Sequence, residues 1–490
     1  MVDKFYKKLY ENLNSKNTFY TYYGKNYYYN DLKSYFYKFC NLISFLEHKN
    51  NKICVLSEKS FDLYATSLSI ILSNNTWVPI PSNSPENRIF EIVNSVKPDL
   101  FIIQSLNTLK SLKIKNFLKK RGINTVTFEE INNSQKISNF KPDKFYENNV
   151  AMIFFTSGST GKPKGVKITH KAYIHSLLEQ IKNLFGKQKK LIFGDYHDIS
   201  FVISLNILFP CFYMNGTISP AIEIKDILFP VNHAIDNKIN TIITVPTLIN
   251  KIKNYYKKIP KNFNLKNLIL CGEPFFVETL NYLVKKNIAT NLYNCYGSTE
   301  LSPWVFFHKI NQKKITFYNK FHLVPVGYPF KKVKIKVMND ILYIGGPTLS
   351  IGYIDEDQDK DSFKIISGHR YYRTNDVIEK KFKFFFVKGR SDNVIKIQGH
   401  RVELLEIENI LRSMKKLTNC YVFIKEISNY ERIICAAIET SNVKISRVET
   451  YLKKNLPNYM LPKNMKTFKK FPINRSNKVD KYKIKSSFDD

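Results

Sequence analysis

Along most of the 490 residues, short apolar runs alternate with longer segments whose apolar side chains recur at helical spacing. The runs from Lys52 to Leu56, Thr76 to Ile80, Leu100 to Ile103 and Thr241 to Val245 have strand length and little internal alternation. A strand covered on both faces carries apolar residues almost continuously, whereas a half-exposed one alternates with period two. The pattern therefore predicts an α/β fold built largely on parallel sheets. From about Val324 the spacing tightens into the runs Val333 to Met338, Ile341 to Ile344 and Lys383 to Val387, broken by Gly, Asn and Asp, which predicts a β-rich subdomain over about 324–388.

A polar, Gly-containing joint follows at Lys388-Gly-Arg-Ser-Asp392. Beyond it, Leu404, Ile407, Leu411 and Met414 recur at helical spacing and Ile433 to Ile438 reads as a strand, so the tail has core signals of its own. The expectation is a multi-layer α/β domain over 1–388 and a small α+β domain over 389–490.

Composition constrains this picture without redirecting it. Lys and Arg number 76 against 41 Asp and Glu, a formal charge of +35, and 43% of residues are hydrophobic. That hydrophobic share can bury a core and excludes wholesale disorder. The basic residues are scattered along the chain rather than gathered on one arm or stripe, which argues against nucleic acid as the partner. The seven cysteines are widely spaced, with no Cys-x-x-Cys pair, and suggest neither a disulfide framework nor a zinc site. No apolar run reaches bilayer length and the N-terminus lacks the apolar stretch of a signal peptide, so a cytoplasmic chain without a transmembrane segment is expected.

The strongest local signal is Thr156-Ser-Gly-Ser-Thr-Gly-Lys-Pro-Lys-Gly165. It follows the apolar run Val150 to Phe155 and precedes a stripe of Ile174, Leu177, Leu178, Ile181 and Leu184, so strand, loop, helix is the expected order. Small residues let backbone N–H groups curl around an anion, hydroxyls add donors, and Lys162 and Lys164 add countercharge. The Walker spacing is absent. A solvated Gly/Ser loop is the alternative for a shorter match.

This decamer resembles the signature of the adenylate-forming (AMP-binding) superfamily. The resemblance covers nearly the whole chain through Ile71 to Pro81, Asn294-Cys-Tyr-Gly-Ser-Thr-Glu300, Ile344-Gly-Gly-Pro with Ile351-Gly-Tyr353, and Tyr372-Arg-Thr-Asn-Asp376. It continues through Gly389-Arg-Ser-Asp, Ile397-Gln-Gly-His-Arg-Val-Glu403, Leu456-Pro-Asn-Tyr-Met-Leu-Pro462 and Asn477-Lys-Val-Asp480, all in the family's order. Three positions depart from its usual residues: Ser298 stands where Pro is commoner, Asn375 where Gly is common, and Ser-Asn-Lys478 where Asn-Gly-Lys is usual.

The resemblance implies carboxylate activation by ATP with Mg²⁺, without a permanently bound prosthetic group. At matching positions, Thr156, Ser157, Gly158, Ser159, Thr160, Gly161 and Lys164 form the phosphate loop, with Ser157, Thr160 and Lys164 on the β- and γ-phosphates. Glu300 would bind Mg²⁺ and Thr299 the α-phosphate. Tyr296 would stack on adenine, with Gly272, Glu273 and Pro274 along its edge and Asn294, Gly297 and Ser298 completing that motif. Asp376 would accept the ribose hydroxyls, aided by Arg390. Lys478 would be the catalytic cation, since a charge reaching the transferring carboxylate and the α-phosphate acts on the transition state. Asp392 would be the hinge on which a mobile small lobe turns, and Gly399 would lie beside a pantetheine arm.

For the acid, the resemblance implies a pocket of His197, Asp198, Ile199, Val202, Thr244, Ile269, Cys271, Cys295, Pro303 and Trp304. Asp198 sits where amino-acid-activating members pair a carboxylate with the substrate ammonium, and a buried ammonium needs such a partner. His197 overlaps a gatekeeping position of acyl-CoA synthetases. Leu270-Cys-Gly-Glu273 is similar to D-alanine–carrier protein ligases. A small amino acid transferred to a separate phosphopantetheinylated carrier is therefore expected, since the chain ends soon after the lysine motif. An acyl- or aryl-CoA synthetase using coenzyme A, and a binding protein of the same fold, remain the alternatives.

Overall fold

The computed structural model describes residues 1–46, 50–137, 144–156, 163–391, 394–397, 399–414, 417–428, 431–440, 442–472 and 479–489. By contact density the chain divides into two compact units. One comprises Met1–Ser82, Ser95–Phe155 and Gly165–Ser391; the other comprises Asn83–Asn94, Thr156–Lys164 and Asp392–Asp490.

The continuous apolar runs become the interior strands of two sheets. In a seven-stranded sheet, Val150–Thr156, Thr76–Pro81, Lys52–Ser57, Leu100–Ile103 and Asn124–Thr127 lie side by side in that order, and the pairs read through Lys52–Ser57 and Leu100–Ile103 are parallel. A nine-stranded sheet carries Ala289–Gly297, Leu265–Cys271, Thr241–Thr244, Ile192–Asp195, Thr217–Pro220 and Thr18–Tyr22 in parallel succession. Every residue of Leu100–Ile103 and Thr241–Thr244 is buried, which is why neither run alternates. The helix Phe61–Leu72 is buried on every side, and the Ser60 hydroxyl caps it by accepting from Leu63 N–H at 3.2 Å. Trp77 is fully buried, edge-on to Phe154 at 5.5 Å.

The β-rich stretch forms an antiparallel five-stranded sheet from Lys334–Met338, Ile341–Gly345, His369–Lys381, Phe363–Ile366 and Phe384–Arg390. The expected joint at Lys388 to Arg390 is the end of the last of these strands, because Arg390 pairs with Asp376 across the ladder. In the second unit, the hairpin Val394–Ile397/His400–Glu403 precedes the helix Leu404–Arg412. The sheet of Asn419–Ser428, Glu431–Glu439 and Asn464–Phe468 packs with the helix Ile445–Asn455. Among the described residues no helix is long and apolar enough to cross a membrane, and all seven cysteines are buried free thiols.

Two local findings revise the sequence reading. The glycine-rich loop does not run directly into the helix. The strand Lys164–Thr169 intervenes and pairs with the two-residue strand Gly352–Tyr353, and only then does the helix His170–Gln180 begin. Anion binding by that helix N-terminus is therefore not what the local geometry offers. Asn375 also gains a physical reason. It sits at φ 58° inside His369–Lys381, where the ladder with Ile341–Gly345 shifts register between Arg373 and Val377. A left-handed residue at such a bulge favours Gly and, among the others, Asn.

Two stability predictions follow from these positions. Burial lowers His170 to about 4, and its Nδ1 lies 2.5 Å from the Tyr6 hydroxyl. The unfolded chain, with a His value near 6.5, then binds more protons between those two pH values. This contribution is complete above about pH 6.5 and is lost as pH falls toward 4, by roughly 3 kcal/mol at the limit. His170→Asn should flatten the pH dependence of the unfolding midpoint in that window, leaving the share of His308, which burial also lowers to about 4. At the bulge, Asn375→Ala should cost about 1 kcal/mol in denaturant unfolding, and Asn375→Gly less than Asn375→Ala.

Candidate active site

In open α/β sheets ligands collect outside the carboxyl ends of the strands, because the faces are covered by helices. Four neighbouring parallel strands of the nine-stranded sheet end at Gly297, Cys271, Thr244 and Asp195. Candidates from four separate sequence regions thus fall on one edge: Cys295, Tyr296, Gly297 and Ser298; Cys271, Gly272, Glu273 and Pro274; Thr244; and His197 with Asp198.

The wall of this edge is apolar. Cys271 and Cys295 are register partners, and the Cys271 thiol donates to Thr244 O at 3.7 Å. Burial, above all, pushes the Cys295 thiol well above its ordinary range, so it behaves as an uncharged wall. Ile199, Ile269, Cys271, Cys295 and Trp304 belong to one hydrophobic cluster, with half-buried Val202 packed against it. Gly297 is required by close approach: a Cβ there would lie 1.9 Å from Pro303 O. The buried Thr244 hydroxyl has no hydrogen-bond partner among the described residues.

Asp198 is half-buried, and its Oδ1 accepts from Ser200 N–H at 2.9 Å and the Ser200 hydroxyl at 2.6 Å, an Asx turn that fixes the carboxylate. The preceding residues are set by a network that sequence reasoning missed. Asp195, 1% exposed, accepts from the Tyr64 hydroxyl at 2.6 Å and from His197 N–H at 3.1 Å. Lys59 donates to Asp195 O at 2.8 Å. Tyr64 and Lys59 lie more than a hundred residues away in sequence, so no local pattern could reveal them.

A second cluster joins the nine-stranded and the five-stranded sheets of the first unit. The Tyr296 hydroxyl donates to Asp376 Oδ2 at 2.5 Å, and Arg390 donates to Oδ1 at 3.0 Å. Burial first, then the Asp376 charge, raises the Tyr296 phenol well above its ordinary range, so it remains a donor. Asn294 donates to Val324 O and Pro325 O. The Glu273 carboxylate accepts from Thr247 N–H in the first turn of Pro246–Tyr255. Both therefore carry bonds that hold the fold.

Glu300 is 1% exposed in the short helix Thr299–Leu301, directly after the strand ending at Gly297. The Tyr353 hydroxyl donates to Glu300 Oε1 at 2.9 Å. Buried hydroxyls of Ser298, Ser302, Thr348 and Ser350, on the same two segments, lack hydrogen-bond partners among the described residues. No group of three or more His, Cys, Asp or Glu suited to a metal occurs among the described residues. One carboxylate with hydroxyl oxygens suits Mg²⁺, a hard cation usually held by one or two carboxylates together with substrate phosphates.

Gly399 turns the hairpin of the second unit at φ +81°, and Thr156 ends the strand Val150–Thr156. Ser157, Gly158, Ser159, Thr160, Gly161, Lys162, Asp392 and Lys478 lie outside the described residues.

The chain is similar to known proteins over most of its length. It is 27% identical over 430 residues to a D-alanine–D-alanyl carrier protein ligase of Staphylococcus epidermidis, covering 85% of each chain. An adenylation domain from Vibrio cholerae solved with glycyl-adenosine-5'-phosphate superposes with TM-score 0.81 at 18% identity, covering 99% of this chain and 97% of that one. An o-succinylbenzoate CoA synthetase from Bacillus subtilis gives TM-score 0.83 at 18% identity, covering 98% of both. At such identity the two structures establish the fold. The family profile described as AMP-binding enzyme matches residues 12–354, well over half of the sequence. The chain belongs to the AMP-binding enzyme family.

Proposed function

We propose that the protein is an AMP-forming acid–thiol ligase that activates a small amino acid, of which D-alanine is the type, and transfers it to the phosphopantetheine thiol of a carrier protein. The observation that carries this reading is a fixed, half-buried carboxylate, Asp198, in the loop after the strand Ile192–Asp195, at the sheet edge where Ile199, Ile269, Cys271, Cys295 and Trp304 form one apolar cluster. An ammonium group in such a place needs a carboxylate, and an acid without one has no use for it. Small volume follows from Trp304 and from the close passage of Pro303 over Gly297. The carrier-ligase relative supports the same choice of acid and acceptor.

In the first half-reaction a carboxylate oxygen of the acid attacks the α-phosphorus of ATP and pyrophosphate leaves. In the second, the thiol sulfur attacks the acyl carbon and AMP leaves. Both steps bring anions together, so the residues act by positioning and neutralisation. Asp376, oriented by Tyr296 and Arg390, accepts the ribose hydroxyls. Thr299 and the phosphate loop hold the phosphates, and Lys478 supplies the cation toward the reacting carboxylate. Glu300 is the residue that would hold Mg²⁺, which when bound neutralises phosphate charge.

ATP–pyrophosphate exchange with a panel of small D- and L-amino acids, and with the matching acids lacking the amino group, tests the reading. Exchange should depend on the amino group, and Asp198→Ala should lower it by about 100-fold or more, the counterpart of about 3 kcal/mol for an uncompensated buried charge. Exchange supported equally by the deaminated acids, or unchanged in Asp198→Ala, overturns the amino-acid assignment. Lys478→Ala should abolish exchange while equilibrium ATP binding persists.

A further inference from the structure

Glu300 is a buried carboxylate whose orientation must be fixed if it is to meet a cation, and its side chain alone has three rotatable bonds with which to miss. The group that fixes it comes from a segment 53 residues onward. Tyr353, itself 2% exposed, donates its hydroxyl to Glu300 Oε1 at 2.9 Å, and its ring lies against Phe363 at 5.8 Å. A carboxylate offers about four acceptor sites, so one phenol contact orients the group without exhausting it.

The segment carrying Tyr353 is held as a strap. Ser350 N–H donates to Glu300 O at 2.9 Å, Ile351 N–H to Lys167 O at 3.2 Å, and Ile354 N–H to Gly165 O at 2.8 Å. It therefore spans from the backbone of Glu300 to the strand that follows the glycine-rich loop. Asp359 Oδ1 accepts from Tyr353 N–H at 2.8 Å. Arg370 donates to Ser350 O at 2.8 Å and Ile351 O at 3.2 Å, and its guanidinium carbon lies over the Phe363 ring, 3.9 Å from the centroid. Gly352 has φ +123°, and a Cβ there would meet Asp359 Oδ2 at 2.1 Å, so glycine is needed where the strap passes the aspartate. Several unrelated contacts thus converge on the placement of one tyrosine hydroxyl.

We propose that Tyr353 is the positioning residue for Glu300, holding its carboxylate in the orientation that binds the divalent cation accompanying ATP, with the strap anchored by Asp359 and Arg370 as its support. This rests on the reading of Glu300 as the cation's protein ligand. A partner that only orients a ligating group typically changes metal affinity by about 10- to 100-fold when removed.

The test is binding of Mn²⁺ to the full chain in the presence of ATP, followed by electron paramagnetic resonance, beside ATP titrations in chelator. Tyr353→Phe removes the hydroxyl and keeps the ring. It should raise the Mn²⁺ dissociation constant by roughly 10-fold and leave metal-free ATP affinity unchanged. An unshifted constant, or equal losses of ATP affinity with and without metal, overturns the proposal. Glu300→Gln separates the two layers. If it weakens Mn²⁺ while Tyr353→Phe does not, the positioning role falls and the reading of Glu300 stands; if Glu300→Gln leaves Mn²⁺ unaffected, both fall. Should Tyr353→Phe fail to accumulate as folded protein, Arg370→Gln loosens the same strap from a half-exposed position. A raised Mn²⁺ constant in that variant supports the proposal and an unchanged one overturns it.

Discussion

Burying a carboxylate costs several kcal/mol unless hydrogen bonds replace its water, and in this chain phenols repeatedly supply them. Tyr64 donates to Asp195, Tyr296 to Asp376, Tyr353 to Glu300, and both Tyr22 and Tyr23 to Asp226. A neutral hydroxyl brings no second charge to desolvate, and its rigid ring packs as core while its tip serves the acid. Three of these four carboxylates lie in or beside the candidate active site.

The sheets decide where those acids can stand. Parallel strands covered on both faces leave chemistry only their ends, so Asp195, Thr244, Cys271 and Gly297 terminate four adjacent strands and the loops after them carry the polar groups. The antiparallel sheet contributes Asp376 and Arg390 as cross-strand partners. Its bulge at Asn375, left-handed and one residue before Asp376, bends the strand where the carboxylate must reach Tyr296.

How much of this was legible in the sequence depends on whether the signal was local. The runs from Lys52, Thr76, Leu100 and Thr241 were readable because double-sided burial writes itself into consecutive residues. The ordered motifs carried the family, and the β-rich stretch was visible as a change of spacing. What escaped was set by distant partners. The strand Lys164–Thr169 mixes lysines and a threonine with Val166 and Ile168, and it is a strand partly because Gly352–Tyr353 lies beside it. Tyr64 and Lys59 stand far from Asp195 in sequence, and the motif around Tyr353 carries no sign of its partner, since only the folded chain places its hydroxyl on Glu300. Asn375 looked like an unexplained departure because a backbone dihedral has no signature beyond the residue that tolerates it.

The basic excess takes on a definite meaning beside the phenol-held acids. The ion pairs Lys253–Glu278, Lys360–Asp357 and Lys171–Glu147 are solvent-exposed, a class in which each pair contributes only about 0–1 kcal/mol. The deeply buried acids at the site take their short side-chain bonds chiefly from tyrosines, while Arg390 pairs with Asp376 and Lys59, bonded to the Asp195 backbone carbonyl, also lies 3.6 Å from its carboxylate. Pairing within the chain leaves the net +35 unchanged, because each ion pair removes one charge of either sign. The surplus remains as a field at the surface, where its effect is on the approach of anions rather than on the stability of the fold, and where ionic strength screens it over about 10 Å. At the site, buried charge is confined to a few oriented carboxylates and the cations beside them, Arg390 and Lys59; outside, it is abundant and unspecific.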